Sequence, residues 1–180
     1  MLNVDKKADF DVNLIIAKGI NNSKTYPEIT ELLRDAEDWV KLTMGKRGEV
    51  SVDDAAEQTG IHAHDTPLKG LIMNMEKGKR YHKDAVSDLC NFISVKHMAP
   101  IFVFDLKKIR LPITVKADMS IHDSVSLLFD NGRMNKRVAV TKDTTSIAVL
   151  VVAKRKISEE LKMLLKDFFQ AKISTSVPIA

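Results

Sequence analysis

Few residues in this 180-residue chain have the types and spacing that chemistry needs. His62, His64 and Asp65 put two imidazoles and a carboxylate within four residues, a set that can converge on a divalent ion if the backbone turns all three inward. The segment lies between helical patterns, and only His82 and His97 follow as nearby donors. The expectation is therefore a polar loop with Asp65 capping a helix, and no metal. Cys90 is the sole cysteine, which rules out an intrachain disulfide and a cysteine-built zinc site and fits a reducing cytoplasm. On one helix, Cys90 and His97 stand two turns apart, roughly 10 Å, too far for a nucleophile and its base. No phosphate-binding glycine loop and no Gly-x-Ser-x-Gly turn occurs. The chain is read as non-enzymatic and without a cofactor.

The other chemistry on offer is positive charge. The formal net charge is +4, and it is unevenly placed: residues 1–100 carry 14 Lys/Arg against 16 Asp/Glu, residues 101–180 carry 14 against 8. Four clusters stand out: Lys77, Lys79, Arg80 and Lys83; Lys107, Lys108 and Arg110; Arg133, Lys136 and Arg137; Lys154, Arg155 and Lys156. The last three flank apolar runs that read as strands. If a sheet brings those strand ends together, they form a positive rim for phosphates, which Lys and Arg bind by displacing counterions. The bland account is that Lys and Arg flank apolar strands as solubilising gatekeepers.

Residues 51–95 resemble the helix-turn-helix of the Cro and phage-repressor type, on Ala55, Ala56, Gly60, Ile61, Glu76, Gly78, Lys79, Leu89 and Val95. The spacing from Gly60 to Glu76 is several residues longer than in that family. The resemblance implies that a helix near 68–75 enters a major groove with Lys69, Asn74 and Glu76 on its exposed face. Residues 111–165 follow the order strand, helix, strand, strand, helix, which resembles one CBS motif, a module that pairs with another copy and often binds adenine nucleotides. Ser158 is followed by Glu159, Glu160 and Leu161, not by that family's ribose-binding Ser/Thr-x-x-Asp, so no nucleotide site is carried over.

Hydrophobic spacing supplies the elements that would hold these residues. Residues 11–20 (DVNLIIAKGI) read as a short helix ending at Gly19. Thr25 and Glu28 form a capping box with Pro27 in the first turn, and Ile29, Leu32, Leu33, Ala36, Val40 and Met44 recur at helical spacing. Further helices are expected over 52–59, from Thr66 with Leu68, Leu71, Ile72 and Met75 inward, and over the stretch holding Ala85, Val86, Leu89, Phe92 and Ile93. After Ala99 and Pro100 the pattern shortens: 101–104 and 111–117 read as strands, Ser120 as the cap of a helix through Phe129, 137–141 and 147–153 as a hairpin, and Ser158 as the cap of a last helix. IAVLVVA at 147–153 is apolar on both faces, so it belongs in the centre of a sheet, covered on both sides by helices. The tail 173–180 reads as loose.

The expected fold is α+β: an all-helical domain over 1–98 with about five helices, resembling a helix-turn-helix in its middle, then a small α+β domain over 99–180 with one sheet and two helices. The expected function is a cytoplasmic, homodimeric regulator that binds duplex DNA through the basic clusters. A protein-protein interaction adaptor without nucleic-acid binding is the alternative. The charged N-terminus lacks a signal peptide's apolar run, and no apolar stretch approaches the roughly 20 residues of a membrane span.

Overall fold

The computed structural model describes residues 1–8, 10–44, 66–79 and 82–176. Its centre is the run at 147–153. β8 (Ser146–Val152) pairs antiparallel with β2 (Val12–Lys18) on one edge and with β3 (Ile101–Asp105) on the other, and β9 (Lys172–Ser176) adds to β2. The order is β3-β8-β2-β9, so the first and last parts of the chain share one sheet.

Alternation then assigns the two faces of that sheet. Ile15, Ile101, Val149 and Val151 face three helices, where they meet Val86, Leu89, Ile93, Leu161 and Leu165. Leu14, Phe102, Phe104, Ala148 and Leu150 face the other way, onto a second sheet. That sheet runs β1-β4-β5-β6-β7, from β1 (Leu2–Val4), β4 (Ile113–Val115), β5 (Ile121–His122), β6 (Leu127–Asp130) and β7 (Arg133–Met134). Its β1 and β4 are parallel, its other pairs antiparallel. Phe102 and Phe129 meet edge-on across the layers with ring centroids 4.7 Å apart. The helical layer holds α1 (Pro27–Met44), α2 (Pro67–Glu76), α3 (Ala85–His97) and α4 (Arg155–Phe169). A third cluster, with Leu33, Val40, Leu68, Ile72 and Met75, binds α1 to α2.

The class is α+β, but a helical N-terminal half of five helices is overturned. The described residues hold four helices interleaved with nine strands in two sheets. The segment read as a first helix is strand β2. Its β-branched residues suit a pleated surface, it has a partner on each edge, and it ends at Gly19 with φ +80°. The helix expected from Ser120 is instead the hairpin β5–β6. Asp123 accepts hydrogen bonds from the backbone N–H of Val125 and Ser126 and closes a turn where a helix would have run on. Asn131 and Gly132, both at positive φ, form the two-residue turn joining β6 to β7 and do not end a helix.

Residues 137–141 do not pair with β8, because both edges of β8 are already occupied by β2 and β3; a short 3-10 turn covers Lys136–Val138 instead. The run IAVLVVA is central as expected, although helices cover only one of its faces and the second sheet covers the other. Of the tail read as loose, residues 173–176 belong to β9 (Lys172–Ser176). The helix expected over 52–59, with Ala55, Ala56, Gly60 and Ile61 of the helix-turn-helix resemblance, lies outside the described residues.

Candidate nucleic-acid interface

Strand ends determine where the basic residues go. β3 ends at Asp105 opposite Ile147, at the start of β8, and the chain leaves it through Lys107 and Lys108. Lys108 Nζ donates to the Ala139 carbonyl at 2.9 Å, which ties this turn to the 3-10 turn carrying Lys136 and Arg137. Lys107, Lys108, Lys136 and Arg137 are all exposed. Arg110 is exposed as well, and its backbone is pinned to the β5–β6 turn: its N–H donates to Asp123 Oδ2 at 2.9 Å, and its carbonyl accepts from Ser124 N–H at 3.2 Å. Arg133, also exposed, opens β7, the strand that leads into the 3-10 turn.

Two carboxylates near this end, Asp105 and Asp123, are committed inward, while Asp143 is exposed. Asp105 is buried; its Oδ1 accepts from Lys107 N–H at 3.0 Å, and its Oδ2 accepts from the Thr144 hydroxyl at 2.8 Å and lies 3.4 Å from Lys108 Nζ. Asp123 is buried too. Burial pushes its carboxyl up, but the N–H groups of Val125, Arg110 and Ser126 and the Ser126 hydroxyl outweigh burial and hold it below its ordinary value. Within 106–142, eight Lys/Arg stand against three Asp. Lys107, Lys108, Arg110, Arg133, Lys136 and Arg137 are exposed near this end, and so is Asp143.

The other clusters lie elsewhere. Lys154, Arg155 and Lys156 are exposed where β8 passes into α4, the full length of β8 away from Lys107 and Lys108, or roughly 20 Å. The sheet therefore does not gather all the strand-flanking clusters onto one rim. Arg155 Nε is 3.5 Å from Glu159 Oε1. Lys77 and Lys79 are exposed just past the C-terminal end of α2, and Lys83 is exposed ahead of α3. Arg80 lies outside the described residues, as do His62, His64 and Asp65. Among the described residues, no group of three or more His, Cys, Asp or Glu could hold a metal ion.

Lys69 and Asn74 of α2 line a cleft of about 420 Å³ with Asn91 of α3 and Gly132 of the β6–β7 turn. The helix is one wall of a concavity, and the hairpin that carries Arg133 borders it. Sequence reasoning missed this cleft, because it reads Asn131 and Gly132 as the end of a helix and not as a hairpin turn beside α2. Cys90 is fully enclosed in the core, and burial pushes its thiol up, with Asp84 adding to the rise. His97 is engaged elsewhere, its Nε2 lying 2.8 Å from Glu160 Oε2. The two form no catalytic pair.

No protein-family model matches the sequence, and no curated protein matches it. Among solved structures, an N-terminal fragment of the phenylalanyl-tRNA synthetase β-subunit from Pyrococcus horikoshii is similar, with a TM-score of 0.48 at 13% identity. The alignment covers 96% of this chain and 50% of that fragment, and at that likeness it lends no support to a shared function. No described helix is long and apolar enough to cross a membrane.

Proposed function

We propose that this chain is a non-enzymatic nucleic-acid-binding protein, a regulator that grips a duplex, DNA in the first instance, by its phosphates. The observation that carries the reading is the Lys108–Ala139 hydrogen bond, which sets Lys107 and Lys108 beside Lys136 and Arg137 at one end of the molecule, all four exposed. Four cations on one rim suit the closely spaced charges of a backbone; Asp105, buried, accepts from the Thr144 hydroxyl and pairs at 3.4 Å with one of them, Lys108. Such contacts position a duplex without reading its sequence. The test is anisotropy of a labelled random duplex titrated with the full chain across a salt series. Log affinity should fall with log salt by about 0.9 per phosphate contacted. Absence of binding at low salt would remove the reading.

One observation favours the interaction adaptor as a second reading. Trp39 and Leu42 stand 44% and 66% exposed toward the C-terminal end of α1, and aromatic residues are enriched where proteins meet. If duplex binding fails, this surface is the next to test, with Trp39 as its own fluorescent reporter.

A further inference from the structure

A second cleft, of about 250 Å³, lies where the loop between β2 and α1 meets the start of α3 and the turn before β8. Its floor is organised by one side chain. Asn22 is buried; its Nδ2 donates to Asp84 Oδ1 at 3.0 Å and to the Thr141 carbonyl at 2.8 Å, and its Oδ1 accepts from Val86 N–H at 2.9 Å. These three bonds draw together segments far apart in sequence. Each brings a lysine to the cleft: Lys24 two residues after Asn22, Lys83 just before Asp84, and Lys142 just after Thr141. Among the described residues none of the three ammoniums has a carboxylate partner. Lys24 Nζ instead lies 5.2 Å from the centroid of the Tyr26 ring, which also lines the cleft.

Two carboxylates and an imidazole face these cations. Asp84 is used up internally as the cap of α3: its Oδ1 accepts from Ser87 N–H at 2.9 Å as well as from Asn22, and its Oδ2 accepts from the Ser87 hydroxyl at 2.8 Å. Asp88 accepts from Lys83 N–H at 3.1 Å on Oδ1, and among the described residues its Oδ2 has only His82 Nδ1, at a long 3.3 Å. Asp88 therefore keeps acceptor capacity toward the cleft.

We propose that this cleft binds a small phosphate monoester bearing a free hydroxyl, a sugar phosphate in chemical class, with the phosphate among Lys24, Lys83 and Lys142 and the hydroxyl donating to Asp88. Three lysines whose chain segments a buried tether draws to one cleft can close their ammoniums on a compact dianion. The volume falls below the roughly 300–1,000 Å³ of drug-sized pockets, which suits a small metabolite better than a polymer backbone. The site is separate from the Lys107–Arg137 rim and does not depend on it.

The test is calorimetric titration of the full chain with ribose 5-phosphate, inorganic phosphate and ribose. Ribose 5-phosphate should bind saturably, inorganic phosphate about tenfold more weakly, and ribose not at all. Combined Lys24→Ala and Lys142→Ala, both at exposed positions, should weaken ribose 5-phosphate about tenfold or more. Asp88→Asn should erase the preference for ribose 5-phosphate over inorganic phosphate. Combined Lys107→Ala and Lys136→Ala should leave all three titrations as they are. No saturable binding of ribose 5-phosphate, equal affinity for inorganic phosphate, or full affinity in the Lys24/Lys142 variant would each overturn the proposal.

Discussion

Asn22 shows how much of this molecule hangs on single polar side chains. It is 3% exposed, and its amide satisfies a backbone N–H of α3, a carbonyl before β8 and the carboxylate that caps α3. Asn22→Ala would leave the Val86 N–H and the Thr141 carbonyl without this partner, and is expected to cost about 2–4 kcal/mol. A shift in urea midpoint at constant m-value measures that cost; a loss under about 0.5 kcal/mol would show that the three segments hold without it. Asp88 makes a prediction in pH. Burial raises its carboxyl above the ordinary 3.8, while the Lys83 N–H and His82 pull it back in part. Between 3.8 and the raised value the folded state keeps a proton that the unfolded state releases, so stability from this group falls as pH rises through that window. Asp88→Asn carries no charge at any pH. Compared with the parent, it should gain stability as pH rises from 3.8 through the raised folded value, and parallel stability profiles for the two would contradict the assignment.

At the scale of elements, β8 and the β5–β6 turn decide the architecture. Leu150 is fully buried on the face toward the second sheet, with Leu14 and Phe102 as its cross-strand neighbours. Leu150→Ala is expected to cost about 3–4 kcal/mol in chemical unfolding; a loss under about 1 kcal/mol would mean the two sheets are not packed through it. The turn at Asp123 is held by hydrogen bonds to a carboxylate whose pKa lies below 3.8. Its contribution is present above pH 3.8 and is lost as pH falls through the depressed folded value. Asp123→Ala should cost about 1–2 kcal/mol at neutral pH and flatten the acid limb of the stability profile. These elements also show what could be read from the sequence. The helices at Pro27–Met44, Pro67–Glu76 and Ala85–His97 were legible because each buries one stripe at helical spacing, and β8 because it is apolar throughout. β2 was misread because a short apolar run, residues 14–17, fits a helix as well as a strand until its partners, far along the chain, are known. The β5–β6 hairpin was misread because Ile121, Val125, Leu128 and Phe129 fall at helical spacing by chance, although Val125 is 70% exposed and packs in no stripe. The basic clusters were visible as residues, but their grouping was not: only the Lys108–Ala139 bond sets the second cluster beside the third, and only the direction of β8 sets the fourth apart.

For the molecule as a whole, the described residues form three layers: helices, a four-stranded sheet, and a five-stranded sheet. The outer sheet and its connections carry the concentrated positive charge, eight Lys/Arg against three Asp within 106–142, whereas residues 1–100 carry slightly more acid than base. Such a separation orients a molecule in the field of a polyanion and speeds its encounter with one. The most direct test compares two variants of the full chain on the same labelled duplex across the same salt series. One carries Lys107→Ala, Lys108→Ala, Lys136→Ala and Arg137→Ala; the other carries Lys154→Ala, Arg155→Ala and Lys156→Ala. The first should bind much more weakly and lose roughly one unit of salt slope per phosphate contact removed, while the second should bind as the parent does. Equal losses in both variants, or loss in the second alone, would contradict the assignment of phosphate binding to the Lys107–Arg137 rim.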